Sequence, residues 1–187
     1  MTRSPCGGGG ITRRGFLQAA GAAGLVIAID FGVAPAGAEA VAPRGATPAF
    51  GPFLQVLPDG RLRFASPAVE ISQGAADALA RIVAEELDAD WERVEIVPAV
   101  ADPALASPHS RRQRVANSES VLGYYAPLRQ AGATARALLV QAAANRWGVP
   151  AERCRTESGA VLADGDRRLG YGELAAEAAA LPVPEGV

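Results

Sequence analysis

The stretch from Pro127 to Gly148 limits the fold more than any other part of the chain. Leu128, Ala131, Ala135, Leu138, Leu139, Ala142 and Ala143 recur at spacings of three and four. This predicts a helix from Pro127 to about Trp147 with one apolar face. Pro127 suits a first helical turn, and Gly148 suits a left-handed stop. Most of that face is alanine, so whatever covers it can bring its own backbone close. A second helix is expected over Ala75 to Leu87, with Ala78, Leu79, Ile82, Val83 and Leu87 apolar and Asp77, Arg81, Glu85 and Glu86 on the opposite face.

The remaining patterning is short-period. Phe53 to Val56 and Leu62 to Ala65 flank Pro58-Asp59-Gly60, a hairpin signal in which glycine supplies the positive φ of the turn. The β-branched run Val94 to Val97, ending at Pro98, reads as a strand after the first helix that could pair with the hairpin. Cys154 to Thr156 and Ala160 to Leu162 flank Ser158-Gly159 as a second hairpin, Ala163-Asp164-Gly165 turns the chain again, and Tyr171 to Ala180 reads as a last short helix. Asp102 to Asn117 shows no periodicity and is expected to be a long loop. The order fits an α+β domain, a mixed sheet of short strands and hairpins packed against two long helices.

At 187 residues and 49% hydrophobic content, one domain with a real core is expected. All 18 basic residues are arginine, and the formal charge is −2. That balance argues against sequence-independent binding to nucleic acid. The cysteines are Cys6 and Cys154. If Cys6 is removed with a leader, Cys154 has no partner and no disulfide framework follows.

The first 38 residues are expected to be a twin-arginine signal peptide. Thr12 to Gln18 reads TRRGFLQ, an alanine- and glycine-rich apolar run follows from Ala19 to Ile29, and Ala36-Gly37-Ala38 has the spacing of a cleavage site. The run is short for a membrane span and is interrupted by Asp30, so a leader rather than a stable membrane anchor is expected. Cleavage after Ala38 is the first choice and after Ala40 the second. The leader carries Arg3, Arg13, Arg14 and Asp30, so its loss takes the formal charge from −2 to about −4. Export through the Tat translocase to the periplasm follows as an expectation. Residues 39–52, rich in Pro, Gly and Ala, read as a flexible linker, leaving 53–187 as the domain.

Two bends ahead of helices are the candidate sites. Glu70 to Gly74 reads EISQG, a glycine-bearing turn before a helix N-terminus, which suits an anionic ligand. The plainer alternative is an ordinary turn with Ser72 as the helix cap. Gln113 to Arg129 reads QRVANSESVLGYYAPLR, in which Asn117, Ser118 and Ser120 can cap a helix or bind an anion. His109 reads as a surface residue, no His/Cys/Asp spacing suggests zinc, and one cysteine cannot hold an iron–sulfur cluster.

Together these stretches resemble paired motifs of the molybdopterin-binding subunits of the xanthine dehydrogenase and aldehyde oxidase superfamily, most closely the isoquinoline 1-oxidoreductase type. EISQG stands where that family usually has Glu-Met-Gly-Gln-Gly. Glu85 to Asp88 reads EELD as the family does, and ANSES followed by Pro127-Leu128-Arg129 stands where it has Gly-Gly-Ser-Thr-Ser and a Pro-Leu-Arg helix. Arg146 to Pro150, Cys154 and Arg168 to Leu174 also look like the family pattern. The resemblance implies a molybdopterin cofactor in its cytosine dinucleotide form, with Gln73 and Gly74 touching the dithiolene and Ser118 and Ser120 approaching the phosphate. It implies as partners the remaining large-subunit domains and a small [2Fe-2S] subunit, and a hydroxylase acting on N-heterocycles or aldehydes. The family's glutamate base lies in a later motif, so no catalytic residue is assigned here, no metal ligand is assigned, and the chain alone is expected to be inactive. The alternative is a non-catalytic exported binding or scaffold domain that has lost the cofactor. Departures from the pattern include Ser72 for glycine, Leu122 for arginine, and Asn117 and Glu119 in the small-residue stretch. A carboxylate at Glu119 would repel an anionic phosphate unless an arginine intervened, for which Arg112 and Arg114 are the candidates.

Overall fold

The structure, a computed structural model, describes residues 25–26, 53–99 and 103–184. The arginine pair, the expected cleavage sites, the 39–52 linker and Asp102 lie outside the described residues. An antiparallel hairpin of β2 (Leu54–Val56) and β3 (Leu62–Ser66) forms where the turn chemistry placed it, in register Leu54↔Phe64 and Val56↔Leu62. Alternate residues Leu62, Phe64 and Ser66 are buried, the period of two expected of a strand with one covered face. The chain crosses through α1 (Ala75–Leu87) to β4 (Val94–Pro98), which pairs with β3 in parallel, Phe64 opposite Ile96. β1 (Leu25–Val26) adds to the other edge, antiparallel to β2. The sheet order is therefore β1-β2-β3-β4.

After a short helical turn, α2 (Glu119–Leu122), the long helix α3 spans Tyr125–Trp147 and ends at Gly148, whose φ of 65° is the left-handed stop foreseen for it. It starts before Pro127, which occupies its first turn. All seven apolar positions expected to share a face of α3 are buried. On α1 the buried stripe is rotated slightly from expectation. Leu79, Val83 and Leu87 are covered together with Ala76, Ala80 and Ala84, while Ala78 and Ile82 are half-exposed. The reason lies in the partner: α3 presents Gly132 and alanines, so the small residues of α1 turn inward to let the helices close on each other. Glu86 on α1 and Arg129 on α3 form an ion pair beside this crossing.

The second hairpin does not join the first sheet. β5 (Arg155–Glu157) and β6 (Ala160–Ala163) combine with β7 (Arg167–Gly170) in a separate antiparallel sheet of order β5-β6-β7. β7 leads directly into α4 (Tyr171–Ala179), whose first turn is capped by the Glu173 carboxylate accepting from the Gly170 amide at 2.7 Å. The buried Tyr171 hydroxyl donates to the Leu87 carbonyl at 2.7 Å, and Gly159 N–H donates to the Asp88 carbonyl. The second sheet and α4 are thereby tied to the C-terminal end of α1. Among the described residues no helix is long and apolar enough to cross a membrane.

Candidate functional site

The first bend connects β3 to α1 and has positive φ at Ser72 (72°) and Gly74 (73°). These left-handed residues curl the chain so that its amides converge on one point, the geometry of an anion cradle. The anion there is Glu70. Its carboxylate accepts from the Gly74 amide at 3.0 Å and the Ala76 amide at 3.2 Å. The Gly74 and Ala76 hydrogen bonds, in that order, hold the Glu70 carboxyl below its usual value. The helix is therefore capped by a residue two positions before Ser72, and Gly74, not Ser72, stands at the cap position. Gln73 is turned back on the same loop: its Oε1 accepts from the Ile71 amide at 2.6 Å and its Nε2 donates to the Val69 carbonyl at 2.9 Å. No heavy atom lies within 4 Å of where a Cβ would stand on Gly74, so the bend presents open surface.

The second bend has consecutive left-handed residues, Asn117 (φ 55°) and Ser118 (φ 56°), followed by α2. Ser118 is exposed and its hydroxyl does not cap α2; Ser120 is half-exposed. Between them Glu119 turns inward and is only 4% exposed. Arg114 Nε donates to Glu119 Oε2 at 2.8 Å, so of the two arginines considered, Arg114 is the one that meets the carboxylate. The Ser107 hydroxyl, then the Ser110 hydroxyl and Arg114, hold Glu119 down at about 2, against an ordinary value of 4.5. Its other oxygen, Oε1, is buried and accepts no well-formed hydrogen bond. Ser107 to Arg114 form a loop held by its own hydrogen bonds. Ser107 Oγ accepts from the His109 amide at 3.2 Å, and the Tyr124 hydroxyl, buried, donates to the Leu105 carbonyl at 2.7 Å.

A group with a depressed folded value binds fewer protons than the unfolded chain between the two values, so it stabilises the fold above 4.5 and ceases to do so as pH falls through about 2. Glu119→Gln is expected to remove that dependence. Urea midpoints measured from pH 6 down to about 2 should show a steeper acid loss in the parent chain than in the variant. Parallel curves would rule this out.

Gln113, ahead of the second bend, ties its loop to the ends of β3 and β4, its Nε2 donating to the Ala99 carbonyl at 2.9 Å and the Pro67 carbonyl at 3.4 Å, and α2 packs on α1. A cleft of about 470 Å³ opens at the second bend, lined by His109, Arg114, Asn117, Glu119, Leu122 and Pro127 among others. Gln73, Gly74, Ser118 and Ser120 are outside its lining. His109 is exposed at the rim, as expected of it. Cys154 is a free, half-buried thiol whose burial pushes its pKa up, and among the described residues no His/Cys/Asp/Glu group could hold a metal ion. Two contributors escaped the sequence reading. Glu70 was seen only as part of a motif, because its capping role depends on the left-handed residues Ser72 and Gly74 folding the loop back onto it. Ser107 carried no signal, because its role depends on Glu119 across the loop.

The large apolar side chains left in solvent belong to these bends. Val69, Ile71, Val121, Leu122 and Tyr125 are exposed, Leu122 by 78%, and Val183 is the one such residue found elsewhere among the described residues.

Residues 18–185 match the molybdopterin cofactor-binding domain family, to which the chain belongs. The chain is 44% identical over 181 residues to the beta subunit of the isoquinoline 1-oxidoreductase of Brevundimonas diminuta, covering 94% of this chain and 22% of that one. It is 33% identical to a nicotinate dehydrogenase subunit of Pseudomonas putida over 81% of this chain and 12% of that one. It is 30% identical to a membrane-bound aldehyde dehydrogenase [pyrroloquinoline-quinone] of Gluconacetobacter polyoxogenes, over 89% and 21% respectively. The chain thus spans about a fifth or less of these relatives. Among solved structures, quinoline 2-oxidoreductase from Pseudomonas putida 86 superposes on 69% of this chain and 16% of its own, with a TM-score of 0.49 and 20% identity.

Proposed function

We propose that this chain supplies one wall of the molybdopterin pocket of an exported, periplasmic molybdenum hydroxylase, and is inactive without the rest of the large subunit and a small [2Fe-2S] subunit. The observation that carries this reading is the concentration of exposed large apolar side chains on the two bends. Exposed apolar surface of that kind is made to be covered, and these side chains flank the candidate residues along the chain. The open surface at Gly74 allows a flat pterin to lie against the first bend, with Gln73 held rigidly beside it by its own loop. The uncapped Ser118 hydroxyl and Ser120 would approach the phosphate, and Arg114 neutralises the carboxylate between them. When bound, the molybdenum cofactor would supply oxidation of a C–H bond with water as the oxygen source. The contribution of this chain is to position the group and shield one side of it from solvent.

A second reading is favoured by one observation: the anion cradle of the first bend is already filled by Glu70. On that reading the domain is an exported binding or scaffold module without cofactor. Metal and pterin analysis of the protein purified from its producing host separates the two. Molybdenum near one per chain, with pterin, is expected from the first; a complex with the other subunits that contains neither would exclude it. Hydroxylase turnover by the isolated chain would refute the claim that it is incomplete alone.

A further inference from the structure

We infer that Leu25–Val26, in the apolar run read as part of a leader, is an integral edge strand of the folded domain, so that no cut separates it from the mature protein. The backbone pattern of β2 carries the argument. Ala65 N–H donates to the Phe53 carbonyl and Leu57 N–H donates to the Arg61 carbonyl, both on the β3 side. Peptide groups alternate in direction along a strand. Gln55, opposite Arg63, therefore also faces β3, while Leu54 and Val56 turn their amides and carbonyls to the other edge. That edge is where β1 lies, with Leu25 opposite Val56 and Val26 opposite Gln55. Helix α4 packs against both β1 and β2, so the added strand sits within the domain's own layers.

Removal of β1 would leave the outward peptide groups of β2 unpaired on a strand whose Leu54 and Val56 side chains are buried, and an open edge of that kind is a template for association. The family match is consistent with a structural role, since it begins at residue 18 and runs through this segment. The inference concerns the fold of the chain and holds whether or not it is exported.

Amide hydrogen exchange on the full chain tests it, using Leu25→Pro with Val26→Pro as the variant. The Val56 amide is expected to exchange at least about tenfold faster in the variant, the equivalent of one backbone hydrogen bond, while the β3-facing Gln55 amide changes by less than about twofold. Loss of protection throughout the sheet would also support the inference, since it would show that the sheet needs this strand. Equal Val56 exchange in the two proteins would overturn it. So would a mature protein from the producing host that begins at Glu39 and keeps the protection pattern of the full chain.

Discussion

Gly172→Ala is expected to destabilise the protein by about 3 kcal/mol, the upper end of what overpacking costs. A methyl group at that position would stand 2.3 Å from the Pro58 carbonyl oxygen and 2.6 Å from the Gly60 nitrogen. Both obstacles are backbone in the β2–β3 turn, which is closed by the Gly60 N–H bond to the Leu57 carbonyl at 2.8 Å. Neither can rotate away as a side chain would. Relief requires α4 to lift from the turn, which breaks the contact that Tyr171, Leu174 and Ala178 make with the core. For a chain of this length the loss corresponds to a fall of roughly 6–12 °C in Tm. An unchanged thermal midpoint would show that α4 does not dock on the hairpin turn as described. This also explains part of the Gly-Tyr-Gly-Glu-Leu run at Gly170 to Leu174, whose residues act in packing and capping.

The second large effect is at the crossing of α1 and α3. A Cβ on Gly132 would lie 2.8 Å from the Val83 carbonyl oxygen and 2.7 Å from the Glu86 Cβ. Two opposing terms decide the outcome of Gly132→Ala. The gain in helix propensity is about 1 kcal/mol, and the cost of forcing two packed helices apart is about 3 kcal/mol. A net loss of about 2 kcal/mol is expected from denaturant unfolding. Stabilisation by the variant would mean that the helices are not in backbone contact. Alanine on an exposed helix, where only propensity acts, gives the opposite sign, so the direction of the change reports the packing.

Legibility in the sequence followed the range of the forces involved. The β2–β3 hairpin, α1 and the seven buried positions of α3 could be read because each depends on periodicity or turn chemistry within a few residues. β7 could not. Arg167 to Gly170 is short, begins with two arginines and is half-exposed at the edge of its sheet, so it has neither the apolar alternation nor the β-branched content that marks a strand. Of the candidate site, the two bends and their place before helices were legible, as was the need for an arginine near Glu119. The occupant of the first bend was not, because EISQG shows a glycine and a carboxylate without showing that two left-handed residues fold one onto the other.

The sequence by itself determined the two long helices, the two hairpins and their turns, and which family the chain belongs to, since these are written in local spacing and in separated motifs. Only the tertiary structure decided that the hairpins belong to different sheets, that β4 pairs in parallel, and that Gly132 and Gly172 are contact points rather than flexible joints. It also decided that Glu119 is a buried, arginine-paired carboxylate rather than a charge facing solvent. Each of those outcomes depends on residues distant in the chain meeting at van der Waals or hydrogen-bonding distance, and a steric or electrostatic term between such residues has no signature in the sequence near either one.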